Sequence, residues 1–181
     1  MNTNALPPLV QTLAATLRAR QWLLTTAESC TGGLIAAACT DADGASGWFE
    51  RGFVTYSNAA KRELLGVSAA LIETHGAVSE PVARAMAEGA LEHARAHVSL
   101  AVTGIAGPGG GSAAKPVGTV WFAWCVTGHT HSQMRCFAGD RAAVRAATVR
   151  HALGHLQTLL ARAAEGAGAI PKSHCAGFRH V

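Results

Sequence analysis

The sequence predicts an α/β fold of three layers, α/β/α, with a mixed central sheet covered by helices on both faces. Three observations predict it. Helix-period and strand-like segments alternate along the chain. Two apolar strands run straight into glycine-containing turns, "AESCTGG" and "AVTGIAGPGG". Two further strands adjoin as a hairpin and lead into a long terminal helix.

Leu9, Leu13 and Leu17 share one face of an amphipathic helix over "LVQTLAATLRAR". "QWLLTTA" then reads as a strand, and Thr31 to Thr40 as a helix that Ser29 or Thr31 can cap. "DADGASGW" is a loop by composition. "WFERGFVTYS" is a strand, with Phe53, Val54 and Tyr56 as β-formers. Helical patterns cover 58–65 and 68–75. "GAVSEPVARAMAEGALEHARAH" is the clearest helix, with Ser79 as N-cap and Pro81 tolerated in its first turn. "VSLAVTG" is a short buried strand, followed by the glycine-rich loop "IAGPGGGSAAKPVG". "TVWFAWCV" and "HSQMRCF" form a hairpin across the turn "TGHT". The terminal helix starts at its cap Asp140.

At 181 residues, one domain is expected, over residues 1–165, with a mobile tail over 166–181. Hydrophobic residues make up 49% and charged residues 14%, the balance of a compact soluble protein rather than a disordered one. The net charge of +4 comes from scattered basic residues, so no nucleic-acid partner is expected. No run is long enough for a membrane span, and "MNTNALPPLV" lacks the pattern of a secretory leader. The five cysteines are odd in number and show no CxxC spacing. Free thiols in the cytoplasm fit this better than a disulfide framework or a zinc site.

Three places can carry chemistry. At "AESCTGG", Ser29 ends a strand and free N–H groups begin a helix, an arrangement that suits a nucleophile, an anion cradle or simply a capped helix start. In "TYSNAAK", Lys61 falls near a helix N-terminus, where the dipole and partial burial both disfavour its charged form. Such a lysine can take a proton from a serine, and Tyr56 can relay or donate one. A solvated lysine and a core tyrosine are the plainer alternative. At "TGIAGPGGG", Thr103 and Gly104 end a strand before a turn that can present N–H groups to an anion, or be only a flexible loop. Lys115 beyond it can assist a phosphate or be solvated. His93 and His97 stand four apart on a helix without HExxH context, so no metal site is expected.

Together with "GFVTYSNAAKRELLGV", "GAVSEP", "KPVGTVWFA" and "GDRAAVRAATVRHAL", these motifs resemble the C-terminal domain family of CinA, the competence/damage-inducible proteins, over residues 9–160. That family includes stand-alone nicotinamide-nucleotide amidohydrolases. The resemblance implies the stand-alone form, a three-layer α/β/α fold and no metal or organic cofactor. It implies hydrolysis of nicotinamide mononucleotide to nicotinic acid mononucleotide and ammonia in pyridine nucleotide recycling, and self-association into a homo-oligomer. Its expected roles are Ser29 as nucleophile, Lys61 as base and Tyr56 in proton transfer. N–H groups at Thr31, Gly32 and Gly33 are expected to hold the oxyanion. Asn58, Thr103, Gly104 and Gly107 are expected to bind substrate. Glu28 is expected to orient Lys61 or a ribose hydroxyl, or to be structural. Cys30 is the competing nucleophile. A non-catalytic nucleotide-binding domain of the same fold is the alternative reading. A phosphotransferase is disfavoured by the missing Walker A lysine.

Overall fold

A computed structural model describes residues 6–166. The elements in chain order are α1 (Leu6–Ala19), β1 (Leu24–Glu28), α2 (Leu34–Thr40), β2 (Phe49–Val54), α3 (Asn58–Leu65), α4 (Ala69–His75), α5 (Glu80–Glu92), β3 (Val98–Gly104), β4 (Thr119–Val126), β5 (His129–Cys136) and α6 (Arg141–Gly166). A single 3-10 turn, Ala45–Gly47, precedes β2. The helix α6 runs to Gly166, where the tail was expected to begin; the rest of that tail lies outside the described residues.

The sheet is mixed, in the order β2-β1-β3-β4-β5. The strands β2, β1 and β3 run parallel, and β4 and β5 complete it antiparallel. Packing places α1, α2 and α6 together on one face, and α3, α4 and α5 on the other. The order reverses at β1, because the chain leaves it for β2 on one side and later returns to β3 on the other. In open α/β sheets that reversal opens a crevice at the carboxyl ends of the strands.

Buried side chains follow the layers. Leu13, Leu17, Trp48, Phe122, Trp124 and Leu156 belong to the core under α1 and α6. Val82, Ala83, Met86, Ala87 and Ala90 of α5 pack on the opposite face with Ala27 and Ala101. Small residues there draw helix and sheet close. Gly89 shows how close: an added Cβ would overlap the Leu65 carbonyl at the end of α3.

Several local expectations are corrected. Neither Ser29 nor Thr31 caps α2, whose N-cap is Gly33 at φ 95°. The carboxylate of Glu28 serves instead, accepting from the N–H groups of Gly33, Ile35 and Ala36. Ser79 stands at the N-cap of α5 but makes no capping bond; its hydroxyl donates to the Gly76 carbonyl. The hairpin turn is shorter than "TGHT". Thr127 and Gly128 both adopt positive φ, and Val126 pairs directly with His129. Two such residues match the twist of the flanking strands, so pairing resumes at once. Asp140 does cap α6, accepting from the Ala143 N–H.

Candidate active site

At the carboxyl edge of the parallel strands, a cleft of about 220 Å³ opens between the ends of β1, β2 and β3. Ser29, Tyr56, Asn58, Lys61, Thr103 and Gly104 all border it. Larger hollows lie beside α1 and α6, and neither holds a paired hydroxyl and amine.

Ser29 continues β1 by one residue, donating its N–H to the Val102 carbonyl of β3. That bond fixes the backbone beneath the hydroxyl. Lys61 arrives from the first turn of α3, whose N-terminus Ser57 caps by accepting from the Ala60 N–H. The lysine is 1% exposed. Its Nζ lies 3.1 Å from Ser29 Oγ and donates to the Thr55 carbonyl at 2.9 Å and the Tyr56 carbonyl at 3.4 Å. None of these three partners carries a charge. Burial therefore pushes the Lys61 ammonium below the ordinary lysine range, only partly opposed by the nearby Cys30. Burial thus makes this amine easier to deprotonate than an ordinary lysine, and a neutral amine beside a hydroxyl can accept its proton.

Cys30 also borders the cleft, although its side chain packs in the core. Burial pushes its thiol up to about 11. Near neutral pH it is therefore almost wholly the thiol, which removes its advantage as a nucleophile.

Tyr56 is 61% exposed, and its hydroxyl accepts from Arg141 Nη2 at 3.0 Å. Among the described residues the Tyr56 hydroxyl makes no hydrogen bond to Ser29 or Lys61; only its backbone carbonyl meets the amine. Arg141 also donates from Nη1 to the Gly107 carbonyl at 3.0 Å, so one guanidinium joins both sides of the cleft mouth. Deeper in the same helix, Arg145 donates to the Thr31 carbonyl at 2.8 Å. Sequence reasoning missed both arginines. For Arg141 the available signal was a cation in the first turn of a helix, where the dipole disfavours it unless acceptors hold it; Arg145 gave none.

Glu28, Thr31, Gly32, Gly33 and Gly107 do not border the cleft. Glu28 is fully buried, its carboxylate occupied by the start of α2, the structural one of its two expected roles. The Gly32 N–H donates to the Ser29 carbonyl, and that of Gly33 to Glu28. Neither is therefore free for an oxyanion. Thr103 Oγ1 donates to the Ala77 carbonyl. Gly104 is required by close approach, since a Cβ would sit 2.9 Å from the Thr119 carbonyl oxygen. Lys115 reaches the carbonyls of His75 and Val78 rather than the cleft. His93 Nδ1 contacts the Gly89 carbonyl oxygen, and His97 Nδ1 accepts from the Leu23 N–H.

Fold and cleft together define an α/β protein whose sheet edge presents a serine hydroxyl to a buried amine. The CinA C-terminal domain profile matches residues 7–160, and the chain belongs to that family. It is 54% identical over 161 residues to "Nicotinamide-nucleotide amidohydrolase PncC" of Enterobacter agglomerans, covering 88% of this chain and 96% of that one. The protein of the same name from Escherichia coli (strain K12) is 51% identical, with 84% and 93% covered. A competence/damage-inducible protein from Agrobacterium tumefaciens has a crystal structure that superposes with a TM-score of 0.84 at 46% identity, covering 88% of this chain and 98% of that one. No helix among the described residues is long and apolar enough to cross a membrane.

Proposed function

We propose that the protein hydrolyses the carboxamide of nicotinamide mononucleotide, giving nicotinic acid mononucleotide and ammonia, with Ser29 as nucleophile and Lys61 as base. The class of activity, an amidohydrolase, is supported by relatives of that name matching most of the chain. The observation that carries the mechanism is the 3.1 Å contact between Lys61 Nζ and Ser29 Oγ, with the amine buried away from any carboxylate partner.

In this reading Ser29 Oγ attacks the amide carbon while its proton passes to Lys61. The negative charge moves to the former carbonyl oxygen. With the N–H groups of Gly32 and Gly33 engaged elsewhere and that of Cys30 turned to its own thiol, in this reading the Thr31 N–H holds the oxyanion. A single such donor contributes on the order of 10²–10³ in rate. Collapse breaks the C–N bond, and the proton on Lys61 leaves with ammonia. Water then attacks the acyl-serine, activated by the same amine. Tyr56, held at the mouth by Arg141, assists the proton transfers once substrate fills the cleft. Asn58, Thr103 and Gly104 contact the nucleotide.

The test is ammonia release from nicotinamide mononucleotide, beside free nicotinamide and glutamine. The wild-type chain turns over the mononucleotide, Ser29→Ala loses turnover, and Cys30→Ala keeps it. Activity lost at 30 and kept at 29 would reverse the nucleophile assignment. Binding without turnover by the wild type would favour the non-catalytic domain.

A further inference from the structure

We propose that Lys115 is a positioning residue, which holds the turn at 75–78 as one wall of the cleft. Ala77 and Val78 of that turn border the cleft. Neither makes a backbone–backbone hydrogen bond among the described residues, so no ladder fixes them. Side chains do so instead. The His75 carbonyl accepts from Lys115 Nζ at 3.1 Å, Gly76 from Ser79 Oγ at 2.8 Å, Ala77 from Thr103 Oγ1 at 2.8 Å, and Val78 from Lys115 Nζ at 2.8 Å. Four successive carbonyls are held, two of them by one ammonium.

The geometry gives the charge a reason to be there. His75 ends α4, and a cation at the carboxyl end of a helix meets the favourable pole of its dipole. The glycine-rich loop is shaped to deliver it: Lys115 N–H donates to Ser112 Oγ, and the Ser112 N–H returns to the Lys115 carbonyl. The same loop is anchored at its other end, where Arg141 donates to the Gly107 carbonyl. Anchored at both ends, the loop acts as a strap from the mouth of the cleft to its wall.

The kinetic test rests on the amidohydrolase reading; an exchange measurement does not. In Lys115→Met the KM for nicotinamide mononucleotide rises at least fivefold while kcat stays within twofold, because the Ser29–Lys61 pair is untouched. Lys115→Arg recovers most of the loss, since a guanidinium also supplies donors to two carbonyls. Hydrogen exchange speeds up at Gly76 and Ala83, whose N–H bonds flank the turn, and not in β1 or β3. A KM within twofold of wild type overturns the inference, as does faster exchange through the whole sheet, which would mark a general loss of stability. Should the wild type release no ammonia from any amide, the functional reading fails, and unchanged exchange at Gly76 and Ala83 would then overturn the strap on its own.

Discussion

Lys61 is the residue on which the reading turns, because its protonation state decides whether Ser29 has a base. Burial without a carboxylate partner favours the neutral amine. The value of kcat/KM is therefore expected to rise with pH through one ionisation lying below the ordinary lysine range of about 10.4. Lys61→Arg keeps a basic side chain of similar reach but cannot give up its proton. A loss of about 10²–10⁴-fold in kcat/KM is expected, the usual worth of a general base, and a variant retaining a tenth of wild-type activity would exclude Lys61 as base. The structure brings Ser29 and Lys61 together; local sequence marked each as lying near a helix start and left the plainer alternatives open, and only the three motifs taken together joined them. A structural Glu28 was among the expectations, but its capping partners were not legible. Helix caps are read from the few residues around the N-cap, and this carboxylate reaches the N–H groups of Gly33, Ile35 and Ala36 from within a strand.

At the scale of elements, α3 owes its position to its contact with α5. The Gly89 backbone meets the Leu65 carbonyl where any side chain would collide. Gly89→Ala must push the two helices apart. It is expected to cost about 1–3 kcal/mol, as overpacking does, and to lower kcat/KM by drawing Lys61 away from Ser29. Urea unfolding and steady-state kinetics on the same variant check both parts; unchanged kinetics beside lost stability would show that α3 does not set the amine's position. Most elements were legible from periodicity and turn residues. The start of β5 was misjudged because the positive φ of Thr127 depends on the twist of both strands, a property of the pair rather than of "TGHT".

Across the whole molecule, α6 ties the far end of the described chain to the site and carries a half-buried histidine pair. His151 Nε2 contacts Gln133 Oε1 of β5 at 2.7 Å, and its ring meets Phe122 edge-on. Burial first, then the charges of Arg135 and His155, push His151 down to about 4; burial and neighbouring cations lower His155 as well. The unfolded chain therefore binds more protons than the folded one between about pH 6.5 and 4. Stability is full above that window and falls as the pH drops through it. Denaturation midpoints measured from pH 7 to 4 should show this slope, and His151→Leu should flatten it; an equal slope in the variant would place the acid sensitivity elsewhere. The contacts of Arg141 and Arg145 were illegible for a related reason. A local pattern could flag an arginine in the first turn of α6, but not its partners, which lie 85 residues away at Tyr56 and, for Arg145, 114 away at Thr31.

Those separations also set an order of events during synthesis. The serine and the amine stand 32 residues apart, and the strands that flank them are complete once Gly104 has been made. Chains emerge from the ribosome amino end first, at about 5–20 residues per second. Gly104 is thus made about 2–7 seconds before Arg141, and among the described elements the last helix to be translated is the one that braces the mouth of the pocket.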